Sequence, residues 1–350
     1  MFAKKWYRVR KILIFLFATI IIGGGAIGLL FRQWIWGANV KKNLTETEFK
    51  IPTGSSYDDV FNLLKEKGIL YNYNSFDFIA GVMKYKKDKV APGRYILKPG
   101  MSNRQLISMF RAGLQTPLNI TFNNVRTVEA LVGKISHYIE ADSMEIVELL
   151  YDSSYIADLG YNKYNILTMF IPNTYQFFWN TDPEEFLERM KREHDKFWNK
   201  KRLEKAEKIG LSPEKVFTLA SIVEKETLAN EEKPVIASVY LNRLKKGMLL
   251  QADPTVVYAV KDFGLQRVLN KHLKIDSPYN TYKYTGLPPG PICMPDVGTI
   301  DSVLNAKETD YLFFCAKPNG KGRHAFAKSS RQHINNANRY RRWLNENKIN

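Results

Sequence analysis

Cysteine is almost missing from this chain: Cys293 and Cys315 are the only two in 350 residues, so no disulfide framework organises it. The pair either forms one bridge or stays as two thiols in apolar surroundings. The five histidines are scattered without metal-ligand spacing and no CxxC occurs, so neither a metal site nor any other cofactor is expected. No acid precedes Glu46, while Lys4, Lys5, Arg8, Arg10 and Lys11 crowd the N-terminus. A nucleic-acid recognition motif, with basic and aromatic residues at the right spacing, is also lacking. The net charge of +17 therefore suits another anionic partner, phospholipid headgroups or an anionic cell-wall polymer.

What is present begins with a long apolar run. Ile12–Phe31 contains nothing more polar than Thr19 and spans about 30 Å as a helix, the thickness of a bilayer core. The basic residues ahead of it put the N-terminus in the cytoplasm and residues 37–350 outside, with Trp34 and Trp36 at the outer interface. Ala26-Ile27-Gly28 offers a signal-peptide cleavage site as the alternative. The apolar run continues past it, and no lipobox-like cysteine is present, which favours an uncleaved anchor.

The remaining chain reads as α+β, a small β-α-α-β module followed by a mainly helical C-terminal domain. The expected division is a basic tail at 1–11, a transmembrane helix at 12–31, a polar linker at 32–47, the module at 48–115 and the large domain at 116–345. Within the module, Ile51–Leu64 and Leu97–Phe110 form a weak repeat: a strand, a Gly turn, then Ser56 or Ser102 capping a helix. Ser75–Tyr85 reads as the second helix and Gly93–Leu97 as the second strand. Further on, Thr116–Phe122 is expected as a strand, and Asp182-Pro183-Glu184-Glu185 starts what reads as one charged helix to Ile209.

The chemistry concentrates in Leu219-Ala-Ser-Ile-Val-Glu-Lys-Glu-Thr227, at the end of a helix opened by Ser212 and Pro213. Leu219, Ile222 and Val223 share the helical face of Glu226, whereas Glu224 falls about 200° away. A carboxyl on an apolar face holds its proton more tightly, as a general acid near neutral pH must. A solvated helix-end Glu beside Lys225 explains the segment alone equally well.

Four further strings come after it in order: Gln251-Ala-Asp-Pro-Thr-Val-Val257, Ser277-Pro-Tyr-Asn-Thr-Tyr282, Thr285-Gly-Leu-Pro-Pro-Gly-Pro-Ile292 and Gly322-Arg-His-Ala-Phe326. With the Glu-Lys-Glu helix they resemble the endolytic murein transglycosylases of the MltG/YceG family, over roughly 45–345. Two places depart from that pattern: Cys293-Met294-Pro295-Asp296, where many relatives read Asn-Pro-Gly, and Asn173, where Asp is common. The resemblance implies a membrane-bound lytic transglycosylase acting on peptidoglycan glycan strands, near the cell-wall synthases (penicillin-binding proteins). It implies that the module is LysM-like, serving either glycan binding or spacing.

The family's catalytic Glu falls on Glu226, with Glu224 supporting. Gln251, Asp253, Tyr279, Asn280, Thr281, Tyr282, Asn173, Tyr175 and His324 are the expected substrate contacts. Asp253 also reads as the N-cap of a helix with Pro254 at its first position. Hydrolases commonly need two carboxylates, whereas trapping by the sugar's own C6 hydroxyl needs one, and no second acid besides Glu224 has comparable context. A hydrolytic muramidase and a non-catalytic wall-binding or scaffolding protein are the competing readings.

Overall fold

The computed structural model describes residues 2–265, 267–318 and 322–347; Met1, at the head of the basic tail, lies outside them. The chain divides into two compact units, residues 1–118 with 176–180, and residues 119–175 with 181–350.

The first unit begins with α1 (Phe2–Trp36), whose stretch Leu13–Trp36 is long and apolar enough to cross a membrane and has none of its window buried within the protein. Then come β1 (Glu48–Ile51), α2 (Tyr57–Glu66), α3 (Tyr73–Val82), β2 (Gly93–Ile96) and α4 (Asn103–Arg111). The strand–helix–helix–strand order matches expectation. β1 and β2 are antiparallel with Phe49 opposite Tyr95 and Lys50 opposite Arg94. Alternation puts Phe49, Ile51 and Tyr95 inside, where Phe49 stacks on Phe110 at 5.5 Å. Both expected serine caps are full capping boxes, Ser56 with Asp59 and Ser102 with Gln105. The second helix, expected over Ser75–Tyr85, runs Tyr73–Val82, because Asn72 caps it with a side-chain oxygen that accepts from the Ser75 amide.

One expectation fails here. Residues 32–47 do not form a free linker: α1 continues to Trp36, and the chain then enters the core at once. Val40 is fully buried, and isolated bridges join Ala38 to Ser102 and Val40 to Leu70. The Asn39 amide donates to Asn103 Oδ1 at 2.6 Å, and Asn103 in turn donates to the Trp34 carbonyl at 2.9 Å. A buried amide must find partners, and this pair finds them by fastening the last turn of α1 to α4.

The second unit runs β3 (Leu118–Phe122), α5 (Val128–Ile135), α6 (Ser143–Tyr151), α7 (Ser153–Asp158), β4 (Asn173–Phe177), α8 (Pro183–Phe197), α9 (Lys200–Lys208), α10 (Pro213–Glu226), α11 (Lys233–Lys245), α12 (Asp253–Val260), α13 (Val297–Leu304), β5 (Phe313–Ala316), β6 (His324–Ala327) and α14 (Ser330–Glu346), taking β3 from Asn119 and β4 up to Tyr175. β3 pairs with β4, and β5 with β6. The charged helix expected from 183 to Ile209 is two helices. Trp198 turns inward, only 5% exposed, and Asn199 caps the second helix by accepting from the Arg202 amide. At the centre lies α10, every residue from Val216 to Val223 buried and packed against α11, α12 and α13. A helix apolar on all sides must be enclosed, and enclosure fixes where its last turn points.

Candidate active site

Glu226 is the last residue of α10; Thr227 is already extended, at φ −150°. From α11, Tyr240 donates its hydroxyl to Glu226 Oε1 at 2.6 Å. Tyr240 is itself only 1% exposed, and an edge contact from Phe314 of β5 at 5.9 Å backs its ring. One turn further along α11, Arg243 is buried and its guanidinium is occupied by carbonyls, Leu312 at 2.7 Å and Leu250 at 2.8 Å. Those bonds draw the start of α12 and the approach to β5 onto α11.

Glu226 is partly accessible, yet protein surrounds it closely enough that loss of hydration dominates its ionisation. Desolvation pushes its pKa up to about 7, and the negative charge of Asp253 adds to the rise. The Tyr240 hydrogen bond and the Arg243 charge act the other way, by stabilising the carboxylate. The result is a carboxyl that is half protonated near neutrality.

Glu226 and Asp253 open onto one cavity of about 480 Å³, walled also by Arg126, Tyr258, Phe263 and Ile292. A second cavity of about 350 Å³ shares Arg126, Tyr258 and Phe263 with the first and adds Tyr151, Tyr164 and Tyr279. From the stretch after the Gly286–Gly290 turn, Pro291 lines the smaller cavity and Ile292 the larger. The Ile292 amide donates to Ser221 Oγ of α10 at 3.0 Å, and the Met294 amide to the Val125 carbonyl at 2.7 Å. A side chain at Gly290 would run into the Tyr164 carbonyl, so only glycine lets the loop seat there.

A sequence model of the YceG-like family matches residues 49–339. The chain belongs to that family. It is 31% identical over 334 residues to an endolytic murein transglycosylase of Bacillus subtilis (strain 168), covering 90% of this chain and 89% of the relative. The endolytic murein transglycosylase of Streptococcus pneumoniae (strain D39) is 28% identical over 91% of this chain, which spans 63% of that longer protein. The crystal structure of a yceG-like protein from Listeria monocytogenes superposes with a TM-score of 0.55 at 28% identity, over 82% of this chain and 97% of that one.

In this YceG-like chain the structure brings only some of the expected residues to the cavities. Glu226 and Asp253 line the larger and Tyr279 the smaller, where it lies against Tyr258 at 4.6 Å. Asp253 is not an N-cap; that position is Ala252 and no side chain caps α12. Freed of that duty, its carboxylate accepts from the Tyr282 hydroxyl at 2.5 Å. Glu224 points away, as its helical angle required, and pairs with the Lys233 ammonium at 3.1 Å and with Thr299. Asp253, not Glu224, is the acid whose field reaches Glu226.

Gln251 is exposed beside Asp253 in a left-handed conformation, φ 52°, its side-chain oxygen 3.4 Å from Arg243. Asn280 and Thr281 are buried and internally satisfied. The Asn280 amide donates to the Leu273 and Ile275 carbonyls, and the Thr281 hydroxyl accepts from the Ala252 amide at 3.0 Å. They hold the loop against α12. Tyr175 is core, stacked on Phe122 with its hydroxyl on the Ile171 carbonyl, while Asn173 is exposed on β4. His324 pairs with Glu232 at 2.8 Å and meets the edge of Phe314, the ring that backs Tyr240.

Tyr240, Arg243, Arg126, Tyr258 and Phe263 escaped sequence reasoning. Tyr240 and Arg243, three apart on one helical face, carried a signal; the others did not. The two cysteines are free, and burial pushes the Cys293 thiol up to about 12. Among the described residues no three His, Cys, Asp or Glu side chains are placed to share a metal ion.

Proposed function

We propose that this chain is a membrane-anchored endolytic murein transglycosylase in which Glu226 acts first as acid and then as base. The observation that carries the reading is a cavity-lining carboxyl raised to about 7 by desolvation and held by a buried tyrosine. Protonated Glu226 gives its proton to the oxygen leaving C1 of N-acetylmuramic acid, so the departing sugar leaves as an alcohol. The oxocarbenium-like centre is captured by the C6 hydroxyl of the same sugar, whose proton returns to the carboxylate. No water enters, and the muramyl end closes as a 1,6-anhydro ring. Desolvation keeps the proton on Glu226 near neutral pH and strengthens the carboxylate as the later base, while Tyr240, by stabilising the carboxylate, favours release of the proton in the first half.

Asp253 favours a second reading. A second carboxylate on the same cavity is what a hydrolytic muramidase would use to activate water. The two chemistries differ in their products. The full chain in detergent, wild type and Glu226→Gln, is incubated with purified uncrosslinked glycan strands and the new ends are identified by mass spectrometry. Anhydro ends from wild type and none from Glu226→Gln are expected. Reducing ends would establish the muramidase, and intact strands with wild type would leave a binding or scaffolding role.

The same proposal includes the rest of the frame. α1 is read as a single pass through the bacterial cytoplasmic membrane, N-terminus inside and the catalytic unit outside, supported by its apolar length and the basic residues ahead of it. The first unit is read as LysM-like, and penicillin-binding synthases as partners that supply nascent strands.

A further inference from the structure

The smaller cavity has a charge that the glycan backbone does not explain. Arg126, Lys163 and Lys261 line it, and Glu129 is the one acid among its lining residues. None of the three cations makes an ion pair among the described residues; Arg126 lies over the Phe263 ring at 4.5 Å and Lys163 over Tyr164 at 5.1 Å. Glu129 accepts from the Tyr151 hydroxyl, and it feels the Lys261 charge. Lys261 itself ends α12 at φ 61°, a conformation that favours glycine. Tyr151, Tyr164, Tyr258 and Tyr279 supply phenol groups between the charges.

Sugars with N-acetyl groups are neutral and call for aromatic faces and amides, not for three cations. The anions of murein sit on the lactyl arm of the muramyl sugar, either as the bare lactyl carboxylate or along the attached peptide. We propose that this cavity is a subsite for the peptide stem, its carboxylates met by Arg126, Lys163 and Lys261. Glu129 then faces an amino group of the same stem. The spread of charge of both signs around one 350 Å³ space matches a short zwitterionic peptide better than a single carboxylate. The inference rests on the transglycosylase reading for the identity of the glycan. Because Arg126, Tyr258 and Phe263 wall both cavities, a stem bound here places its own sugar beside Glu226. Stem binding would then orient the reacting bond as well as add affinity.

Two measurements on the full chain in detergent test it. In the first, kcat/KM is compared on uncrosslinked strands of equal length, one set bearing pentapeptide stems and the other stripped by an amidase to lactyl carboxylates. Wild type should prefer the stemmed strands by about tenfold or more, and the ratio should collapse toward one in Lys163→Ala/Lys261→Ala. Equal wild-type rates on the two substrates, or a ratio unchanged by the double substitution, would overturn the proposal. In the second, calorimetry measures binding of soluble muramyl pentapeptide to the Glu226→Gln chain, with N-acetylmuramic acid as the control ligand. Saturable binding of the peptide form alone is expected, and its loss when Lys163 and Lys261 are also replaced. Failure to bind overturns the subsite whatever the cleavage assay gives. Peptide binding without new ends on either strand would keep the subsite and defeat the transglycosylase instead.

Discussion

At Glu226 the ionisation is a contest chiefly between lost hydration and the Tyr240 hydrogen bond, and each side is open to titration. Activity that depends on the protonated carboxyl should fall as pH rises through about 7. Tyr240→Phe removes the bond that stabilises the carboxylate, so the alkaline midpoint should move to higher pH. A pH–rate profile with an unmoved midpoint would reduce Tyr240 to packing. Stability follows the same proton. Between pH 4.5 and about 7 the folded chain holds a proton that the unfolded chain has released, so stability falls as pH rises across that window. Glu226→Gln removes the slope and should gain on wild type by at most about 3 kcal/mol above pH 7, read from denaturant midpoints. The apolar face behind this residue was legible in the sequence, because Leu219, Ile222 and Val223 mark it, but the face alone left a solvated Glu226 equally open. The roles of its neighbours were less so. Asn280 and Thr281 look like ligand groups as letters, yet burial commits them to backbone partners. Tyr240 and Arg243 lie on another helix, and only tertiary packing brings them to Glu226.

Among the elements, caps and breakers were the readable part. Ser56, Ser102, Asp182 and Ser212 all cap as their spacing predicts. The break between α8 and α9 was not readable, since Lys-rich sequence on both sides keeps helical propensity and the interruption comes from burying Trp198. The Gly286–Pro291 loop is where local chemistry and site geometry coincide. Gly290→Ala should lower stability by about 2 kcal/mol or more and disturb the wall shared with Tyr164 and Tyr279, as the loop must retreat from the Tyr164 carbonyl. Gly298→Ala in α13 is the matched control. A methyl there meets open space, so its melting point should equal or exceed wild type. Equal losses at the two positions would mean that the close approach at Gly290 carries no special weight.

For the whole molecule, the order of strands and helices in the first unit was predictable from turn glycines and serine caps, whereas its join to α1 was not. Polar letters between Gly37 and Thr47 read as linker because nothing local shows that Asn39 and Val40 are buried. In cells, exchanging α1 for a soluble secretion signal should lengthen glycan strands if cutting is confined to nascent chains at the membrane. Unchanged lengths would count against that confinement. The fastening of Trp34 by Asn103, with Val40 buried just beyond, has one more consequence. These contacts oppose a swivel between shaft and head. Gly37–Val40 reaches no more than about 14 Å at full stretch, so the β1–α4 module stays within that distance of the end of α1. One added helical turn ahead of Trp36 would lift that module by about 5.4 Å. Adding a single residue would instead turn it through about 100° around the helix axis.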